Sequence, residues 1–269
     1  MPRIRLTLAY DGTAFCGWQL QARERTVQGE LETAIARIVG EPVRVHGSGR
    51  TDSGVHALCQ VCHFDVPESR ATIPWRRALN SLLSDDVSVL SCHVTDAEFH
   101  SRYSAVSKTY AYTLWHTREF LLPHRRNQVW ACGPVDFGLM ERAAEVFLGT
   151  HDFAAFQNTG TPVKSTVRTM TRLERCPGIN EHESVWRFSA DGFLKQMVRN
   201  IMGCLVEAGR GKVSPQTIRS ILDEADRTAA PATAPPQGLC LEFVQYPAMA
   251  EEKCLERRPE DSPDTGDCG

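Results

Sequence analysis

The order of alternating and helix-like segments is the feature that most constrains the fold of this chain. The segment RIRLTLAY, residues 3–10, alternates along its length and stops at Asp11-Gly12, which predicts a half-buried strand. Further strands are predicted at 42–46, 55–66 and 87–94. Helices are predicted at 27–38, closed by Gly40, and after a cap at Thr72. This β-α-β-β-α-β order is the pattern of a ferredoxin-like unit.

The second half of the chain repeats this order. Strands are predicted at 108–116, 164–175, 184–190 and 239–246, and helices at 136–148, at 194–208 and from Pro215. We therefore predict an α+β fold of two ferredoxin-like (RRM-like) units that form a central antiparallel sheet with helices packed on it. The predicted domains are residues 1–105 and 106–247. Residues 248–269, which are charged and lack a periodic apolar face, are predicted to be a disordered acidic tail.

Charge and cysteine usage narrow the class of protein. The net charge is -3, but residues 251–269 hold seven acids and three bases, so the remaining chain is close to +1. Arginine outnumbers lysine 25 to 5. Its planar fork suits phosphate contacts and base stacking, although a GC-rich genome produces the same bias. With no membrane-length apolar stretch and no signal peptide, we expect a cytoplasmic protein whose ten cysteines are reduced.

The segment GSGRTDSGVHA, residues 47–57, is the richest candidate for a functional loop. A dinucleotide-binding loop needs G-x-G-x-x-G at the start of a helix, whereas here the spacing differs and a strand follows. The segment is therefore predicted to be a loop between strands that exposes Arg50, Thr51 and Asp52, with glycines that allow close approach. The alternative from the pattern alone is a turn aspartate that bonds its own backbone.

The segment CQVCH, residues 59–63, matches the pattern for covalent haem attachment. That modification requires export, for which the chain has no signal. Zinc is a second interpretation, with Cys92 and His93 as further ligands, but adjacent ligands on strands fit a tetrahedral site poorly. Because residues 58–66 alternate as a strand, we predict no metal site and no haem here.

Six segments in the same order resemble the TruA family of tRNA pseudouridine synthases. They are GSGRTDSGVHA, YDGTAFCGWQLQ (10–21), FHSRYSAVSKTYAY (99–112), GTHDFAAF (149–156), FLKQMVRNIMG (193–203) and GLCLEFVQYP (238–247). Together they span nearly the whole chain up to the tail. The resemblance implies isomerisation of uridine to pseudouridine at positions 38, 39 and 40 of the tRNA anticodon stem-loop, without a cofactor. It also implies a homodimer that binds tRNA.

The resemblance also assigns roles to individual residues. The catalytic aspartate of the family falls at Asp52, and the tyrosine that stacks on the target base falls at Tyr110, with Tyr112 as the rival position on the same strand face. Arg199 corresponds to the basic partner of the aspartate. Arg50 and Arg102 match further positions that bind substrate.

Each of these residues also has an ordinary structural interpretation. The tyrosine could be a packed strand aromatic, and the arginine an exposed helix residue. The alternative function is a catalytically inactive RNA-binding α+β protein, which has no need of an aspartate on a glycine-rich loop.

Overall fold

A single sheet runs through the described part of the chain. The computed structural model describes residues 1–158 and 163–247, together with the backbone of Lys253–Cys254. The strands are β1 (Arg3–Tyr10), β2 (His46–Gly47), β3 (His56–Asp65), β4 (Val87–Thr95), β5 (Ser107–Trp115), β6 (Trp130–Ala131), β7 (Gly149–Asp152), β8 (Val167–Pro177), β9 (Glu183–Ala190), β10 (Leu239–Gln245) and β11 (Lys253–Cys254). The α-helices of the same residues are α1 (Val27–Val39), α2 (Trp75–Asn80), α3 (Phe137–Ala144), α4 (Met197–Gly209) and α5 (Pro215–Glu224).

The strand order brings the two halves of the chain side by side. The sheet reads β11-β4-β1-β3-β10-β5-β9-β8-β7, with β2 paired to β3 and β6 paired to β5. The pairs β3/β10 and β5/β6 are parallel, and the other pairs of the described strands are antiparallel. The fold thus combines α-helices with one mostly antiparallel central sheet, and this part of the prediction is confirmed. The β3/β10 pair, with Cys240 opposite His56, joins the two halves.

Side-chain alternation explains why β1 lies at the centre of the first half. Ile4, Leu6 and Leu8 are fully buried, as the RIRLTLAY pattern predicts. The neighbouring helix α1 begins where the Thr26 side chain accepts a hydrogen bond from Gly29 N and ends at Gly40, whose φ of 96° is in the left-handed region. The end at Gly40 was predicted from the sequence, and the cap at Thr26 was not.

Four predicted elements differ from the structure. The strand expected at 42–46 shrinks to His46–Gly47, and the helix expected after Thr72 spans Trp75–Asn80 without a side-chain cap. The helix expected over 136–148 ends at Ala144 and continues as a 3₁₀ turn, and Leu148 is 40% exposed. Helix α4 begins at Met197 and not near Leu194, because Gln196 adopts a left-handed backbone with φ 61°.

The predicted disordered tail, residues 248–269, lies outside the described residues apart from a short backbone segment. Lys253–Cys254 pairs with β4 opposite Val94 and His93. Among the described residues, no helix is both long enough and apolar enough to cross a membrane.

Candidate active site

The loop between β2 and β3 carries Asp52 and is held on one side by the segment that follows β1. Trp18 N donates to Thr51 O at 3.0 Å, and Gly54 N donates to Phe15 O at 3.3 Å. The Ser53 hydroxyl donates to the same Phe15 carbonyl at 3.2 Å. These bonds fix the backbone immediately before and after Asp52, so the loop presents the carboxylate in one position.

A buried polar cluster holds the loop from the other side. The Ser48 hydroxyl donates to Gln60 Oε1 at 2.7 Å, and Gln60 Nε2 donates to Gly49 O at 3.0 Å. Tyr10 and Thr51 share a hydrogen bond of 2.9 Å between their hydroxyls. Ser48 and Gln60 are fully buried, so their bonds are shielded from competing water. Neither Tyr10 nor Gln60 was predicted to belong to the site, although the alternation of β1 places Tyr10 on the inward face.

Two glycines of the loop have distinct structural reasons. Gly54 forms the turn that follows Asp52. Its φ of 78° is a backbone conformation that residues other than glycine rarely adopt. A Cβ on Gly47 would lie 2.6 Å from the Trp18 ring, so Gly47 is needed for close approach. The prediction that glycines shape this loop is confirmed at these two positions.

Arg199 lies against the carboxylate of Asp52. Its Nη1 is 3.4 Å from Asp52 Oδ2, and its Nε donates to Ala234 O at 2.8 Å. The Asp52 side chain is 28% exposed and that of Arg199 13%. In the described part of the chain, no hydrogen bond to Asp52 Oδ1 is found. The guanidinium therefore lies beside one carboxylate oxygen while the other stays open to an incoming group.

The two candidate tyrosines have different surroundings. Tyr110 is 7% exposed and meets the Phe193 ring edge-on at 5.1 Å between centroids. Burial, with smaller contributions from neighbours that include Asp52, raises the pKa of the Tyr110 hydroxyl. No hydrogen bond of this hydroxyl is found among the described residues. The Tyr112 hydroxyl instead donates to Pro235 O at 2.6 Å. The structure thus places Tyr110, and not Tyr112, with an unengaged hydroxyl near Asp52.

The Pro/Ala loop 227–238 forms part of the site, which the sequence did not indicate. Buried Asn200, next to Arg199 on α4, binds Phe156 O through Nδ2 at 2.7 Å. Its Oδ1 accepts from the Thr233 hydroxyl at 2.6 Å and from Arg227 Nη2 at 3.1 Å. These bonds tie the loop to the helix and fix the Ala234 carbonyl that receives Arg199.

The remaining predicted site residues lie at the rim. Arg50 and Arg102 are both exposed, and the guanidinium of Arg102 is 5.8 Å from the centroid of the Tyr103 ring. Lys108 contacts the carboxylate loop, where its Nζ donates to Ser48 O at 2.6 Å. Lys108 was missed, although it shares a strand face with Tyr110 two residues away.

The CQVCH segment lies on β3. Its Cys62 is in the core, and its His63 bonds the Ser101 hydroxyl at 2.9 Å. In the described residues, no group of three or more His, Cys, Asp or Glu is arranged to hold a metal ion. The site offers a half-buried carboxylate, its arginine and a buried tyrosine as its chemical groups.

Comparison with known proteins places these residues in a family. The family profile described as tRNA pseudouridine synthase matches residues 7–104 and 143–247. A tRNA pseudouridine synthase A of Maridesulfovibrio salexigens is 61% identical over 246 residues, covering 91% of each chain. That of Solidesulfovibrio magneticus is 55% identical over 253 residues, covering 92% of each chain.

One solved structure resembles this chain only distantly. The archaeal box H/ACA sRNP Nop10-Cbf5 complex aligns with a TM-score of 0.32 and 12% identity, over 84% of this chain and 59% of that chain. The assignment therefore rests on the family profile and the sequence relatives. The profile includes the Asp52 loop and helix α4, and the relative from Maridesulfovibrio salexigens covers 91% of this chain. The chain belongs to the TruA family of tRNA pseudouridine synthases.

Proposed function

We propose that this chain isomerises uridine to pseudouridine at positions 38, 39 and 40 of the tRNA anticodon stem-loop, with Asp52 as its catalytic residue and without a cofactor. As a member of its family the chain is a pseudouridine synthase, which is an isomerase. The observation that carries the assignment to Asp52 is its pairing with Arg199, 3.4 Å away, on a loop that leaves one carboxylate oxygen open.

The reaction needs a group that acts while the glycosidic bond is broken. The bond from ribose C1′ to uracil N1 breaks, the uracil turns, and a new bond joins C1′ to C5. C5 then loses its proton and N1 holds one, so the product is an isomer of the substrate. A carboxylate can serve as nucleophile or as electrostatic stabiliser in this sequence. Either role requires a carboxylate held in position, and the guanidinium of Arg199 lies 3.4 Å from Asp52 Oδ2.

Tyr110 is the residue proposed to stack on the target uracil and to assist loss of the C5 proton. Its ring is fixed by Phe193, and its hydroxyl is free of other hydrogen bonds in the described residues. Tyr112 is a poorer candidate because its hydroxyl is bound to Pro235 O. The surroundings of the two rings support the assignment that the family resemblance makes.

Arg50 and Arg102 are proposed to bind the substrate at the rim. A uridine in a stem must leave the base stack before it reaches Asp52, which costs a few kcal/mol. Contacts of exposed guanidiniums with the flipped nucleotide and its phosphates offset that cost. Both side chains are exposed, as this role requires.

The finer architecture is also part of the proposal. The orders β4-β1-β3-β2 and β10-β5-β9-β8 are those of two ferredoxin-like units, which supports domains at 1–105 and 106–247. We further propose a homodimer in the cytoplasm, where its tRNA substrate is found.

The test is incubation of the protein with an unmodified tRNA transcript that carries uridine at positions 38, 39 and 40, followed by mapping of pseudouridine. We expect pseudouridine at these positions and none in a matched transcript with cytidine there. Binding of the transcript without any pseudouridine would instead support the alternative, an inactive RNA-binding α+β protein.

A further inference from the structure

Lys108 on β5 and Arg168 on β8 lie on the same face of the sheet, because Ala190 on β9 is opposite both Lys108 and Met170, and Arg168 is two residues from Met170. Lys108 on β5 donates to the Ser48 carbonyl at 2.6 Å, and a Cβ on Gly49 would lie 3.1 Å from its Nζ. Arg168 on β8 donates from Nη1 to the carbonyls of Ser165 and Val167 at 3.0 and 2.6 Å. In the described part of the chain, neither these two cations nor Arg102 forms an ion pair.

The three charges influence one another. Burial, followed by the positive charges of Arg102 and Arg168, lowers the pKa of Lys108 to about 8. Arg102 comes from the segment before β5 and Arg168 from β8. These two are the charged groups that act on Lys108, and its other polar neighbour is the uncharged Ser48 carbonyl. A half-buried lysine among arginines is unfavourable unless an anion binds there.

We propose that Lys108, Arg102 and Arg168 form a binding site for a backbone phosphate of RNA, next to the uridine that reaches Asp52. The inference rests on the proposed function and adds to it two residues and the chemical class of their ligand. Lysine and arginine donors together match the several acceptor oxygens of a phosphodiester. The position also fits, because Lys108 lies two residues from Tyr110 on the same strand face and contacts the loop of Asp52.

Phosphate binding couples to protonation at this site. An anion next to Lys108 favours the charged amine, so the affinity for RNA falls as the pH rises through the pKa of the free protein. The bond to Ser48 O does not depend on that charge, because a neutral amine also donates a hydrogen bond. Deprotonation therefore weakens RNA binding without releasing the loop.

The test compares Lys108→Met and Lys108→Arg with the wild type for binding of an unmodified tRNA transcript, at several salt concentrations and at pH 7 and 9. Lys108→Met is expected to weaken binding about tenfold, since a charged hydrogen-bonded contact is lost. The slope of log K against log salt should become shallower by about 0.7 to 0.9, the contribution of one phosphate contact. Affinity of the wild type should fall between pH 7 and 9, while that of Lys108→Arg stays level.

Two further variants separate this site from general effects of charge and of folding. Lys212→Met removes a positive charge from an exposed residue that pairs with Glu207, and it should leave the salt slope unchanged. Arg168→Met, whose hydrogen bonds go to carbonyls of its own segment, should reproduce the loss of affinity seen with Lys108→Met.

Unchanged affinity and salt slope in Lys108→Met and Arg168→Met, with a slower reaction in Lys108→Met, would overturn the proposal and reduce Lys108 to a residue that positions the loop. The binding measurement does not depend on turnover. A wild type that binds with the expected slope but forms no pseudouridine would refute the proposed function and leave the phosphate site standing.

Discussion

Replacing each of the two neighbouring tyrosines by phenylalanine should separate stability from catalysis. Tyr112→Phe removes the donor to Pro235 O, a bond of 2.6 Å in a partly buried position. A carbonyl left without its partner costs about 1 to 2 kcal/mol when water can partly replace the donor. For a protein of this size that cost lowers the Tm by roughly 2 to 8 °C. We expect the reaction rate of this variant to stay within about tenfold of the wild type.

Tyr110→Phe should show the opposite pattern. Its hydroxyl has no hydrogen bond among the described residues, so its removal should change the free energy of unfolding by less than about 1 kcal/mol. The ring stays packed against Phe193 and can still stack on a base. If the hydroxyl assists loss of the C5 proton, the rate should fall by about 10² or more, the usual contribution of general acid–base catalysis.

Urea unfolding and a single-turnover assay measure the two effects independently. Substrate tRNA with tritium at uridine C5 releases the label when C5 loses its hydrogen, so the release reports the reaction directly. A stable but slow Tyr112→Phe, together with a destabilised but active Tyr110→Phe, would refute the roles inferred from the two hydroxyls. An unimpaired rate in Tyr110→Phe would leave its ring as a stacking platform alone.

Two further predictions follow from the site and from the buried histidine of β3. Arg199→Met should lower kcat by about 10² with a smaller change in tRNA affinity. The reason is that the substitution removes the cation next to Asp52 and the donor to Ala234 O. Equal losses in kcat and in affinity would contradict this prediction. Burial, followed by the charge of Arg3, lowers the pKa of His63 to about 4, so the unfolded chain binds the extra proton between pH 6.5 and 4. The stability from neutral His63 is therefore complete above pH 6.5 and declines by up to about 3 kcal/mol as the pH falls to 4. In His63→Phe, urea unfolding at pH 4.5 and 7.5 should show a smaller difference than in the wild type.

Secondary-structure elements were predicted correctly where the sequence signal lies within a few adjacent residues. Strand β1 was predicted to the residue because its alternation and the Asp11-Gly12 stop are both encoded in ten adjacent positions. In place of the strand expected at 42–46, only His46–Gly47 forms a strand, because only these two residues of the segment pair with β3. The start of α4 was predicted too early. Gln196 has a left-handed backbone, and glutamine is not a residue type from which that conformation is predicted.

The candidate site was predictable in part for the same reason. The glycine-rich spacing indicated a loop between strands, and the family resemblance brought in Arg199, which the structure places against Asp52. The bonds from Asn200 to Thr233 and Arg227 join residues 27 to 33 positions apart, and no periodicity encodes such a contact. The charge environment of Lys108 likewise depends on Arg168, 60 residues along the chain, and required the folded structure.

The account depends most on Asp52, and Asp52→Asn tests it most directly. The amide has nearly the shape of the carboxylate but carries no charge and cannot act as a nucleophile. We predict that pseudouridine formation in the tRNA transcript falls by at least about 10³. Because phosphate contacts dominate affinity, tRNA binding should stay within about threefold of the wild type. Pseudouridine formation by Asp52→Asn at a rate near that of the wild type would contradict the central claim.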